Sequence, residues 1–235
     1  MWRSVHSPSD TPARLPEPMP PHQPPPAAVV FDMDGTLIDT SRVVSAAFGA
    51  ALRDSGGPML SVDQLIASYV IGPPEAIMQH YLGRPVTIDE LDGYHARLSA
   101  EAKRQGLAPY PGILDALEVL SEVPLGVFTN ADRSNARILL GAAGLADRFV
   151  TVVGADAVAP RFKPEPDGLL LACERLGVDP RRSVYVGDGP LDAETARRAG
   201  ARSVAAGWGH QLDDTSGWDV VVATPGELAP ALGLG

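Results

Sequence analysis

The chain has 235 residues, 45% of them hydrophobic, which is enough for one sizeable core with a small insertion. Its formal net charge of −10 argues against nucleic acid or an anionic membrane as a partner. A single cysteine, Cys173, rules out an intrachain disulfide and fits a reducing cytoplasmic setting, and no apolar run reaches the ~18 residues a membrane span needs.

Residues 1–26 are rich in proline and end in Pro24-Pro25-Pro26. They lack the apolar middle stretch of a secretory signal, and they read as an extended, disordered tail. A short β-branched run, Ala27 to Phe31, predicts the first buried strand. Similar runs follow at Leu125–Thr129, Phe149–Val153, Ser183–Gly187, Arg202–Ala206 and Asp219–Val222. Helical patterns lie between most of them. Ile113, Leu114, Leu117 and Leu120 form one apolar stripe, and Leu169, Leu170, Cys173 and Leu176 another. Buried strands alternating with amphipathic helices predict an α/β fold, a parallel sheet covered on both faces.

Residues 41–106 break that rhythm. Val44, Ala47, Phe48, Ala51 and Leu52 form a helical stripe, and Gly-Pro clusters divide the helical stretches that follow. The pattern predicts a helical insert between the first two strands, with Tyr110-Pro111-Gly112 marking the return. Cys173, on its apolar stripe, reads as a small core residue.

Phe31-Asp32-Met33-Asp34-Gly35-Thr36-Leu37-Ile38-Asp39 places two carboxylates directly after the first strand. Ligands of parallel α/β sheets gather at the carboxyl ends of strands. Crowded carboxylates repel unless a proton or a cation intervenes. Three more stretches carry chemistry: Phe128-Thr129-Asn130 after the second strand, Lys163-Pro164-Glu165-Pro166, and Val186-Gly187-Asp188-Gly189-Pro190-Leu191-Asp192 after another strand.

These four stretches, in this order, resemble the motifs of the haloacid dehalogenase superfamily over about residues 27–210. The resemblance implies a three-layer Rossmann-like core of residues 27–40 and 107–235, with a helical cap of residues 41–106. It implies Mg²⁺ as cofactor and a small phosphorylated metabolite as substrate. Asp32 is then the nucleophile, Asp34 the acid and base, and Thr129, Asn130 and Lys163 the phosphate-binding residues. Asp32, the Asp34 backbone carbonyl and Asp188 hold the metal, with Asp192 behind them. The presence of Asp34 points away from dehalogenation. Tyr110-Pro111-Gly112-Ile113 and Gly207-Trp208-Gly209-His210 resemble stretches of phosphoglycolate phosphatases, many of which carry lysine where this chain has Ala131. A phosphomutase or pyrophosphatase would keep all four motifs, and a binding module on the same fold would have lost Asp32 or Asp34. His80, Arg84 and Arg97 are the insert's cationic candidates for a substrate anion, although each reads first as a surface residue. Asp39 and Thr40 stand at the insert's entry, where Asp39 suits the start of the next helix. His210 reads as a loop residue. The sequence carries no signal of oligomeric state.

Overall fold

The structure is a computed structural model that describes residues 24–212 and 214–234. Most of the predicted proline-rich tail therefore lies outside the described residues. Pro26 is already buried, and the Ala27 amide donates to the Arg182 carbonyl at 2.7 Å.

The elements alternate as the sequence predicts. Strand β1 (Ala28–Phe31) is followed by four helices, α1 (Ser41–Asp54), α2 (Val62–Ala67), α3 (Pro74–Leu82) and α4 (Ile88–Gln105). Helix α5 (Ile113–Val119) leads into β2 (Leu125–Phe128), then α6 (Arg133–Ala142), β3 (Thr151–Val153) and α7 (Asp167–Leu176). The chain closes with β4 (Ser183–Gly187), α8 (Pro190–Ala199), β5 (Arg202–Ala206), β6 (Val220–Val222) and α9 (Leu228–Leu232). All strand pairs are parallel, in the order β3-β2-β1-β4-β5-β6. Propagation runs outward from β1 in one direction and from β4 in the other. The crevice between their carboxyl ends is thus the topological switch point, where parallel α/β sheets bind ligands.

Strand periodicity sorts the core into two layers. Val29, Phe31, Val127, Val184 and Val186 point to one cluster, which the residues of α5, α6 and α9 complete. Val30, Phe128 and Tyr185 point to the other, against Leu169, Cys173 and Ala196 of α7 and α8. Helices therefore cover both faces, as the buried strands require.

Two stripe assignments are corrected. Leu114 is 45% exposed and Leu170 is 39% exposed, whereas Ile113, Leu117, Leu120, Leu169 and Cys173 are buried. Adjacent helical residues lie about 100° apart, so Leu114 and Leu170 turn away from a stripe their neighbours already fill. The strand ends are also trimmed: Phe149 and Val150 precede β3, and Thr129 follows β2. The α1 stripe is buried as read: Val44, Ala47, Phe48, Ala51 and Leu52. Helix α1 packs along α4, and α4 in turn packs on α6. Among the described residues, 41–106 hold no strand.

Candidate active site

Asp32 follows β1 and Asp188 follows β4, two strands paired through Phe31 and Val186. The Asp32 amide donates to the Val186 carbonyl at 2.8 Å, which extends the ladder and brings the two carboxylates to one edge. Thr129 follows β2, on the other side of β1. The loop before α7 delivers Lys163, and the first turn of α8 delivers Asp192. Asp32, Thr129, Lys163, Asp188 and Asp192 are all buried.

Lys163 is the hub. Its ammonium donates to Asp192 Oδ1 at 2.7 Å and also to Asp32 Oδ1. Asp192 and Asp32 together outweigh the burial that opposes its charge, so the lysine stays protonated above its ordinary range. Asn130 holds it in place, because Asn130 Oδ1 accepts the Lys163 amide at 3.0 Å. The Asn130 side-chain oxygen is thus committed to the lysine loop. Tyr185 donates its hydroxyl to the Phe128 carbonyl at 2.9 Å and lies 3.2 Å from Asp192 Oδ1. Asp192 Oδ2 accepts the amides of Asp188 and Gly189 at 3.2 and 3.1 Å. With both oxygens engaged, Asp192 is a strut for Lys163 and for the turn that carries Asp188.

Asp188 is arranged differently. Its described hydrogen bonds, from the amides of His210 and Gln211 at 3.2 and 3.3 Å, both fall on Oδ2. This leaves Oδ1 for another ligand. Burial, reinforced by Asp192, pushes its carboxyl up to about 7. Burial also raises Asp32 well above the usual carboxylate range; Lys163 opposes the shift, while Asp192, Asp34 and Asp188 add to it. The oxygens of Asp32, Asp188 and Asp192 lie within 4.8 Å of one another. Crowded, oxygen-only and strongly negative, this cluster fits a hard divalent cation. Gly35 makes the approach possible: it adopts φ +84°, and a β-carbon there would lie 2.2 Å from Asp188 Oδ2.

Asp34 sits apart from the lysine. Oδ1 accepts the Thr40 hydroxyl at 2.5 Å, and Oδ2 lies 3.4 Å from the Thr129 hydroxyl. Burial raises its carboxyl above the ordinary value even though both hydroxyls pull the other way. A buried, hydrogen-bonded carboxyl raised in this way is suited to donating and accepting protons.

A cavity of ≈ 90 Å³ opens over these groups. Asp32, Asp34, Thr129 and Lys163 form its floor, and side chains of the 41–106 segment, among them Phe48, Tyr69 and Tyr94, form its far wall. His80, Arg84 and Arg97 do not line it. His80 is exposed, Arg84 forks onto Glu90 at 2.9 and 2.6 Å, and Arg97 pairs with Asp54.

Asp39 serves the helix start as expected, since its Oδ1 accepts the Ser41 amide at 3.1 Å and the Ser41 hydroxyl at 2.5 Å. His210 is more than a loop residue. Its amide holds Asp188, and its Nδ1 lies 3.3 Å from the Tyr110 hydroxyl. Sequence reasoning missed Tyr69, Tyr94, Asn135 and the His95–Asp132 pair, which belong to no motif. Thr40 adjoins one, and its position beside Asp39 was the available signal.

A family model described as haloacid dehalogenase-like hydrolase matches residues 26–200. An N-acetylmuramic acid 6-phosphate phosphatase of Pseudomonas aeruginosa is 34% identical, over 87% of this chain and 94% of that protein. A phosphoglycolate phosphatase of Escherichia coli is 30% identical, over 88% of this chain and 92% of that protein. The crystal structure of CbbY from Rhodobacter sphaeroides, in complex with phosphate, superposes with a TM-score of 0.80 at 23% identity, covering 89% of this chain and 100% of that one.

Proposed function

The chain belongs to the haloacid dehalogenase-like hydrolase family and is a phosphatase of its phosphoglycolate phosphatase-like branch, and from that premise we propose that it is a Mg²⁺-dependent hydrolase of a small phosphate monoester, phosphoglycolate-like or a sugar phosphate, acting through an aspartyl-phosphate. The observation that carries the reading is the junction at Lys163: one buried ammonium bonded to both Asp32 and Asp192, with Asp34, Thr129 and Asp188 around the same cavity.

In this reading Asp32 attacks phosphorus and displaces the alcohol, forming an acyl phosphate on its own carboxylate. Asp34 donates the proton the leaving oxygen needs. It then takes a proton from the water that hydrolyses the acyl phosphate, which regenerates Asp32 and releases phosphate. Lys163 and the Thr129 hydroxyl hold the transferred phosphoryl oxygens. Asp32, Asp188 and the Asp34 carbonyl would hold the cation, which would offset the repulsion between carboxylate and phosphate when bound. Residues 27–40 and 107–235 act as the catalytic core, and 41–106 as a cap that excludes water.

The test is phosphate release from a panel of small esters with Mg²⁺ and with EDTA, beside Asp32→Asn. Release that needs the metal and disappears in the variant is the expected result. Release that persists in Asp32→Asn overturns the nucleophile assignment.

A further inference from the structure

The cavity's far wall carries information about the leaving group. Among the described residues that line it, Lys163 is the sole cation, and its ammonium is already bonded to Asp32 and Asp192. Phe48, Ile77, Tyr94, Leu98 and Leu139 supply apolar surface. A carboxylate placed there would lose its hydration with no countercharge to replace it.

Two residues of the lining, Asn135 and Tyr69, each carry a buried polar atom without a partner. Asn135 is 1% exposed, and its Oδ1 is buried with no hydrogen bond. Its orientation is fixed: Nδ2 donates to Asp132 Oδ2 at 2.7 Å and the amide to Asp132 Oδ1 at 2.9 Å. Asp132 itself is pinned by His95 at 3.0 Å. One N–H of the side-chain amide is engaged by Asp132, which sets the amide's orientation, and the carbonyl oxygen is the atom with no partner at all. The Tyr69 hydroxyl is likewise buried and unpartnered. Burial and the charges of Asp34, Asp39 and Asp188 keep it a neutral phenol. Buried polar atoms are seldom left unsatisfied, so each calls for a ligand group. Asn135 Oδ1 accepts only, so its partner must be a donor. A hydroxyl or amide N–H qualifies and a carboxylate does not.

We propose that the alcohol portion of the substrate is uncharged and hydroxylated, its hydroxyls meeting Asn135 Oδ1 and the Tyr69 hydroxyl, and that the site discriminates against esters bearing a carboxylate. This rests on the phosphatase reading above and selects among its substrates: a neutral polyol or sugar phosphate over phosphoglycolate. Discrimination follows from the same asymmetry as in other polar sites, where the wrong ligand leaves buried groups unpaired.

Matched esters test it. 2-Hydroxyethyl phosphate differs from phosphoglycolate by CH₂OH in place of the carboxylate, and erythritol 4-phosphate differs from 4-phosphoerythronate in the same way. The neutral member is expected to show kcat/KM at least tenfold higher in each pair. In Tyr69→Phe the neutral-to-acidic ratio should fall several-fold at the preferred chain length, a change in ratio that general loosening of the fold would not produce. In Ala131→Lys, which adds a cation to the cavity wall, the ratio should move toward the carboxylate ester. Equal or better turnover of the carboxylate esters overturns the proposal, and an unchanged ratio in Tyr69→Phe overturns the role of that hydroxyl. Release from p-nitrophenyl phosphate with none from the four esters defeats the polyol assignment alone. No release from any of the five defeats the phosphatase reading itself.

Discussion

Thr40 donates its hydroxyl to Asp34 Oδ1 at 2.5 Å, so the residue immediately before α1 is fastened to the carboxyl proposed to move protons. The usual use of a threonine at this position is to cap its own helix, and Thr40 makes no such bond. Asp39 accepts the Ser41 amide instead. The hydroxyl is thereby free to stabilise the charged form of Asp34. Thr40→Val removes that stabilisation, so the Asp34 carboxyl rises further. The alkaline limb of the pH–rate profile should move to higher pH, and kcat should fall about tenfold, matching the ~1.4 kcal/mol of one charge-assisted hydrogen bond. An unshifted profile would remove Thr40 from the proton chemistry.

Lys163 pairs with two buried carboxylates at once. Lys163→Met leaves Asp32 and Asp192 facing each other without it. The expected cost is about 3–5 kcal/mol, measured by urea unfolding in metal-free buffer. The cost should be smaller at pH 5 than at pH 8, because the stranded carboxyls can take up protons at the lower pH. A penalty independent of pH would mean that packing, not charge, is what Lys163 supplies.

Gly35 is required twice, by its φ of +84° and by the mere 2.2 Å that would separate a β-carbon from Asp188 Oδ2. Gly35→Ala should reduce phosphate release more than about a hundredfold, since a displaced Asp188 can no longer hold the cation. Retained far-ultraviolet circular dichroism would localise the damage to the site. Near-normal activity would show that Asp188 has room to move.

His95 of α4 pairs with Asp132, at the start of α6, at 3.0 Å, tying the helical insert to the core. The Asp132 carboxylate beside it lifts His95 above 6.5. Burial acts to raise Asp132, but His95 and the amides of Asn135 and Ser134 outweigh it and lower its carboxyl. The pair's contribution is therefore full near pH 6. It fades as pH rises through the elevated His95 value, and fades again in acid as pH falls through the lowered Asp132 value. Both side chains are about a quarter exposed, so the contribution is under about 1 kcal/mol. The stability difference between the native chain and His95→Ala should shrink from pH 6 to pH 9. A constant difference would show that the pair carries no charge-dependent energy.

The sequence by itself determined the parallel sheet, its helices and the acidic floor of the site. These are local properties: buried strands read as short apolar runs, and Asp32, Asp34, Asp188 and Asp192 sit at fixed offsets from strand ends. Helix faces were legible to within one residue, failing at Leu114 and Leu170, where composition marks an apolar residue but packing decides which neighbour is covered. Tertiary structure alone decided how the oxygens are shared. It gave Asp192 to Lys163 and the α8 turn, left Asp188 Oδ1 open, committed Asn130 Oδ1 to the lysine loop and joined Thr40 to Asp34. It also assembled the far wall, where Tyr69, Tyr94 and Asn135 meet from separate helical segments. Hydrogen-bond partners and cavity walls depend on where distant elements dock, and no periodicity along one chain encodes that distance.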